Sequence, residues 1–94
     1  MQITKDAIAG TLESSDAMVR VSPSETLDVT INSSVLAQFG DQISSVVQQT
    51  IDNFGVTAGS VIVDDKGALD CTLRARVAGA IARGTEDNLD WGQM

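Results

Sequence analysis

The sequence contains no histidine and no tyrosine, and it has a single cysteine and a single proline. Histidine is the commonest general base and the commonest metal ligand in proteins, so its absence argues against acid–base catalysis and against a metal site. The lone Cys71 cannot form a disulfide within the chain, and it therefore gives no sign of an oxidising compartment. The first ten residues lack the basic start and apolar stretch of a secretory signal, and no run approaches the ~20 apolar residues of a membrane span. We expect a cytoplasmic chain.

Aromatic and basic residues are also scarce. Phe39, Phe54 and Trp91 are the only aromatic residues, so the core of this 94-residue chain has to be aliphatic. Thirteen acidic against six basic residues give a formal net charge of -7, which disfavours nucleic acid and anionic membrane surfaces as partners. No Lys or Arg lies between Val21 and Asp65. Part of the surface must therefore be purely negative, and it serves either solubility or the docking of basic partners.

Three short segments near the start predict β-strands. Period-two alternation places a row of apolar side chains on one side of the second and third segments, namely Ala17, Val19 and Val21, then Leu27, Val29 and Ile31. A weaker strand spans residues 7–12, where Ile8 and Leu12 could face the same way. Pro23 separates the second strand from the third. Three consecutive strands predict an antiparallel meander.

The apolar period then changes to that of a helix. A first helix begins after Ser33 or Ser34, either of which can cap it, and ends at Gly55. Its apolar stripe consists of Val35, Phe39, Ile43, Val46, Val47, Thr50, Ile51 and Phe54. A β-branched strand over residues 58–64 precedes a second helix over 68–83. The apolar stripe of that helix consists of Leu69, Leu73, Val77, Ala80 and Ile81. On another face, a row of small residues (Cys71, Ala75, Ala78 and Ala82) would let the first helix or a partner approach closely.

The order of elements, β-β-β-α-β-α, predicts an α+β fold. We expect a two-layer sandwich, in which a small mixed sheet is covered on one face by two helices and the last strand rejoins the sheet by a crossover. Residues 1–84 would form this one domain, and residues 85–94 an acidic C-terminal tail.

Three features could carry chemistry. Cys71 could act as a nucleophile, but no histidine is present to activate its thiol, and a packed side chain in the row of small residues is the better interpretation. The turn Asp64–Gly67 lacks the ligand spacing of a calcium loop and is interpreted as a solvated turn entering a helix. Residues 10–16 lie between the first two strands, where Ser14 would be exposed to the active site of another protein. By composition alone this segment is an ordinary Asp/Ser turn.

Five motifs occur in one register between Ala7 and Arg83. They are AGTLES followed by Asp16, INSSV, QFGD, DDKGALDC and LRARV, in that order along the chain. Together they resemble the citrate lyase acyl carrier proteins, the gamma subunits of that complex.

The resemblance implies a carrier and not a catalyst. It implies that a coenzyme-A-like group, phosphoribosyl-dephospho-coenzyme A, is attached to Ser14 through a phosphodiester, with the adjacent Ser15 excluded only by the register of the motif. The thiol of that group would carry acetyl and citryl thioesters for the cleavage of citrate to acetate and oxaloacetate. The implied partners are the citrate lyase alpha and beta subunits and a holo-carrier synthase, the transferase that attaches the group.

Two other hypotheses stay open. One is an adaptor that organises the enzyme subunits without a cofactor. The other is a thiol enzyme that uses Cys71.

Overall fold

The computed structural model describes residues 2–33 and 36–85. Within them lie six elements in the predicted order: β1 (Ala7–Gly10), β2 (Ala17–Ser22), β3 (Leu27–Ser33), α1 (Leu36–Phe54), β4 (Gly59–Asp65) and α2 (Asp70–Gly84). The four strands form one mixed sheet, and the predicted α+β fold is confirmed. The predicted roles of Ser34, Val35 and the Phe39 side chain in α1, and those of residues 86–94, lie outside the described part of the chain.

The predicted antiparallel meander is wrong. The strand order is β1-β2-β4-β3, so β4 lies between β2 and β3. It pairs antiparallel with β2, where Val19 lies opposite Val63, and parallel with β3. The central place goes to β4 because its valines are completely buried, whereas the apolar side chains of β3 are only half-buried and suit an edge. The long connection through α1 allows this insertion.

Strand β1 presents its two faces to different surroundings. Ala9 faces the core and is buried, whereas Ile8 is 52% exposed and Leu12 lies beyond the strand and is 53% exposed. The reason lies in α2, which packs over β1. A Cβ atom added to Gly79 of that helix would lie only 3.5 Å from the Cβ of Ala9. There is no room at this contact for a side chain as large as isoleucine.

Helix α1 ends as the sequence predicts. Gly55 has a φ of +67°. Its N–H donates a hydrogen bond to the carbonyl oxygen of Asp52 (3.0 Å), and the N–H of Val56 donates one to the carbonyl oxygen of Ile51 (3.3 Å). These two bonds form a Schellman motif, which satisfies the last carbonyl groups of the helix. Most of the predicted stripe is buried, namely Ile43, Val46, Val47, Thr50 and Ile51. The Thr50 hydroxyl donates to the carbonyl oxygen of Val46, so its burial leaves no polar group unpaired.

Helix α2 buries Leu73, Val77, Ala80 and Ile81, but two expectations about it are wrong. Leu69 is 70% exposed, because the helix begins at Asp70 and Leu69 is an extended residue outside the helical period. In the row of small residues, Cys71 and Ala75 are exposed, while Ala78 and Ala82 are half-buried. The first half of that row is therefore not packed against α1, and Cys71 is not a packed core side chain.

Candidate functional site

Ser14 lies in the loop that joins β1 to β2, at one end of the sheet. The loop runs from Thr11 to Asp16, and Ser14 is exposed near its tip. In the described part of the chain, the Ser14 hydroxyl makes no hydrogen bond. It is therefore accessible to another protein from solution.

Asp16 closes the loop on itself. Its Oδ2 accepts a hydrogen bond from Thr11 Oγ1 (2.6 Å), and its Oδ1 accepts one from the N–H of Ala17 (2.7 Å). Thr11 Oγ1 in turn accepts the N–H of Glu13 (3.2 Å), and the N–H of Asp16 donates to the carbonyl oxygen of Glu13 (3.1 Å). One carboxylate thus connects the first and last residues of the loop that contains Ser14.

The same carboxylate anchors the loop to helix α2. Arg76 Nε donates to Asp16 Oδ1 (3.0 Å) and Arg76 Nη2 to Asp16 Oδ2 (3.1 Å), which is a bidentate pair. The hydrogen bonds from Arg76 and then from Thr11 hold the pKa of Asp16 well below its ordinary value, and the hydrogen bond to Asp16 raises the pKa of Arg76. Asp16 is therefore an anion whose charge is balanced by its partner.

A second anchor connects the loop to the turn between β4 and α2. The N–H of Ser15 donates a hydrogen bond to the carbonyl oxygen of Lys66 (2.8 Å), and the N–H of Lys66 donates one to the backbone carbonyl oxygen of Asp16 (2.9 Å). Ser15 has a φ of +65°, an uncommon conformation for a residue other than glycine. The reciprocal bonds offset the cost of this conformation and hold the residue after Ser14 in place.

The turn beneath the loop is itself fixed from inside the molecule. Asp65, expected in a solvated turn, is 1% exposed, which corrects that prediction. Its carboxylate accepts hydrogen bonds from Ser33 Oγ (2.8 Å) and from the N–H of Ala68 (2.9 Å). The carboxylate is needed there because it pairs a polar group at the end of β3 with the backbone that leads into α2.

Gly10 allows the loop to leave β1 so close to its neighbours. Its φ is +92°, and an added Cβ atom would overlap the carbonyl oxygen of Ala17 and lie 2.9 Å from Cδ of Arg76. The arginine side chain therefore runs along the base of the loop in a space that a side chain at position 10 would fill.

The other candidate residues lie outside this arrangement. Cys71 borders a cavity of about 610 Å³ between α1 and the start of α2, whose lining includes Asp65 and Asp70 but no lysine or arginine. Asp64 is paired with Arg20 (3.1 Å) across the sheet. Among residues 2–33 and 36–85, no group of three or more His, Cys, Asp or Glu side chains could hold a metal ion.

Reasoning from the sequence singled out Ser14 as a candidate but missed the residues that hold its loop. Asp16 and Arg76 are 60 positions apart. No local pattern links them, and only the packing of α2 over β1 and β2 brings them together. The buried role of Asp65 was missed because consecutive acids before Lys-Gly ordinarily indicate an exposed turn.

In the described residues, the Ser14 hydroxyl is exposed on an anchored loop, where another protein can reach it. No helix in that part of the chain is long and apolar enough to cross a membrane.

Comparison with known proteins identifies the family. The sequence profile described as malonate decarboxylase delta subunit (MdcD) matches residues 4–84. The citrate lyase acyl carrier protein of Haemophilus influenzae (strain 86-028NP) is 56% identical over 91 residues, 97% of this chain and 96% of the relative. That of Pectobacterium atrosepticum is 50% identical over 96 residues and covers 100% of both chains. The chain therefore belongs to the citrate lyase acyl carrier protein family, as its motifs implied, and it is a carrier and not a catalyst.

The fold is shared with a protein of much lower sequence identity. A chain in the crystal structure of a Pseudomonas malonate decarboxylase hetero-tetramer in complex with malonate superimposes with a TM-score of 0.76 at 19% identity. The match covers 86% of this chain and 84% of that one.

Proposed function

We propose that this chain is the acyl carrier subunit of a citrate lyase complex and bears phosphoribosyl-dephospho-coenzyme A on Ser14. Family membership over the whole chain supports the carrier role. The observation that carries the site assignment is the exposed Ser14 hydroxyl, which has no partner in the described residues, on a loop anchored at two points. When bound, the group supplies a terminal thiol that holds acetyl and citryl groups as thioesters for cleavage of citrate to acetate and oxaloacetate.

The residues around Ser14 fit the attachment of a phosphodiester. The hydroxyl is open to an incoming enzyme, and the charge of Asp16 is balanced by Arg76. Glu13 has no ion-pair partner among the residues that the structure describes. A transferase must therefore supply the positive groups that offset Glu13 and the phosphates of the group.

The anchored loop gives a carrier a fixed point of attachment. Arg76 and Lys66 hold the loop from two elements, so Ser14 keeps a defined position relative to the surfaces on which partners dock. Transfer between two active sites then becomes an intramolecular encounter, with an effective concentration set by the length of the arm. The domain needs no acid, base or nucleophile of its own for this role.

The proposed partners follow from the same assignment. They are the citrate lyase alpha and beta subunits, which would exchange and cleave the thioesters, and a holo-carrier synthase, which would attach the group. The assignment also places the chain in the cytoplasm, with residues 1–84 as the carrier domain and 85–94 as a tail.

The site is tested by intact mass in cells that contain the attachment enzymes. The wild type is expected to gain one phosphoribosyl-dephospho-coenzyme A, and Ser14→Ala none. Ser15→Gly is the matched control, because glycine adopts the positive φ of this residue without strain, and it should carry the group. If Ser14→Ala retains the group on Ser15, the site assignment is wrong.

An adaptor without a cofactor is the second candidate. The long stretch without lysine or arginine between Val21 and Asp65 favours docking as a role in itself. This candidate predicts that unmodified protein supports full citrate cleavage in a reconstituted complex, whereas the carrier proposal predicts none.

A further inference from the structure

The two edges of the sheet differ in how they are covered. Edge strand β1 has only four residues, and Arg83 Nη1 donates a hydrogen bond to the carbonyl oxygen of Ile8 (2.6 Å). Edge strand β3 has seven residues, and the backbone of residues 27–32 bonds to β4 alone within the described part of the chain. In a parallel pair, the outer edge leaves alternate N–H and C=O groups unpaired. Among the described residues, the outer edge of residues 27–32 is therefore long and open to pairing.

A groove accompanies this edge. It lies between β3 and α1 and has a volume of about 460 Å³. The half-buried side chains of Val29 and Ile31 contribute its apolar lining, and the helix side is polar, with Asp41, Ser45 and Gln48 among its residues. An extended segment pairing with β3 would place alternate side chains in this groove.

Strand β3 and helix α1, which form the groove, carry charges of one sign. Strands β3 and β4 and helix α1 contain no lysine or arginine. Four exposed carboxylates belong to these elements or precede them in the chain, those of Glu25, Asp28, Asp41 and Asp52, and that of Asp41 lines the groove. The negative charge of this surface attracts a basic segment and repels an acidic one.

We propose that the edge of β3 and its groove bind an extended, basic and apolar segment of a citrate lyase catalytic subunit, which adds to the sheet as a fifth strand. The partner named here rests on the proposed function. The extended conformation of the segment is inferred from the edge of β3, its apolar residues from the lining of the groove, and its basic residues from the acidic charge of the surface.

The position of this surface suits a carrier. Ala17, Asp65 and Ser33 lie in one row across β2, β4 and β3, so the root of the Ser14 loop is two strand spacings, about 10 Å, from the end of β3. A partner bound along β3 would lie close to the attachment point and leave Ser14 uncovered.

The test measures binding of the full-length natively modified chain to purified alpha and beta subunits. Asp41→Lys should weaken binding to one of the two subunits by about tenfold or more, and the loss should shrink as salt is added. Ser45→Lys, also in the groove, should act in the same direction. Asp6→Lys is the matched control, because it changes an exposed acid beside β1 by the same charge, and it should alter binding less than about twofold.

Amide hydrogen exchange of the complex provides a second readout. Strand addition should protect amides within residues 27–33, and those of β1 should be unaffected. Equal effects of Asp41→Lys and Asp6→Lys, or a complex that leaves residues 27–33 unprotected, would overturn the inference. Either result would leave the proposed function intact as long as the chain still carries its group on Ser14. A chain without the group would instead contradict the proposed function.

Discussion

At the scale of single residues, the loop that bears Ser14 depends on Asp16. This carboxylate accepts hydrogen bonds from Arg76, Thr11 and Ala17, which come from helix α2, the start of the loop and the start of β2. Because an ionised acceptor makes stronger hydrogen bonds than a neutral one, the negative charge matters as well as the shape. Within the described residues the Ser14 hydroxyl makes no hydrogen bond, so the position of Ser14 is set by these neighbours.

The first prediction concerns attachment. Asp16→Asn keeps the size of the side chain but loses the ion pair with Arg76, so the loop should become mobile. We expect the rate at which the holo-carrier synthase modifies Ser14 to fall by roughly tenfold or more, since small displacements of a reacting group are costly. Asp64→Asn, which breaks the surface pair with Arg20 elsewhere, is the control and should be modified at the wild-type rate. Equal rates for the two variants would refute the role of Asp16.

The second prediction concerns pH. Arg76 lowers the pKa of Asp16 in the folded protein below the ~3.9 of an unfolded chain. The carboxylate therefore contributes stability above that value, and the contribution is lost as the pH falls towards the lower, folded pKa. Urea unfolding should show Asp16→Asn less stable than the wild type at pH 7, with a smaller difference at pH 3. A difference that is the same at both pH values would contradict this assignment.

At the scale of elements, the packing of α2 over the sheet determines which residues face the core. Gly79 lies over Ala9, and Gly84 lies against Val21 and Ile3. This close approach explains why Ile8 points outwards. It also brings Arg76 to the base of the Ser14 loop.

The two glycines of α2 give opposite predictions for the free energy of unfolding. At Gly79 an added Cβ atom would make an ordinary contact of 3.5 Å, so Gly79→Ala should stabilise the protein by about 0.5–1 kcal/mol through helix propensity. At Gly84 the atom would lie 2.7 Å from Val21 Cγ2, so Gly84→Ala should destabilise it by about 1–3 kcal/mol. Thermal and urea unfolding of the two variants measure both values. Stabilisation by both substitutions would show that α2 lies further from the sheet than described.

Periodicity predicted the elements well because each one repeats its apolar residues along the chain. The stripe of α1, the alternation of β2 and the final turn at Gly55 are all local patterns. Strand order is not a local pattern. The position of β4 in the sheet depends on how completely its valines are buried compared with the apolar residues of the other strands. For the same reason a motif could single out Ser14 as a candidate, while its supports Asp16 and Arg76 could not be linked to each other.

At the scale of the whole molecule, the proposed attachment point and the proposed docking surface occupy different places. Ser14 and its anchors Arg76 and Lys66 lie at one end of the sheet, and the open edge of β3 lies on a side without basic residues. All six basic residues belong to other parts of the chain, on β2, on α2 and its preceding turn, and before β1. A carrier benefits from this separation because a partner can hold the domain without covering the arm.

Mass spectrometry of the native protein can decide whether Ser14 carries the prosthetic arm. The protein is purified from cells that cleave citrate, its intact mass is determined, and fragmentation locates any added mass. We predict one phosphoribosyl-dephospho-coenzyme A per chain, on the fragment that contains Ser14. A preparation that supports citrate cleavage and yet consists only of unmodified polypeptide would contradict the account.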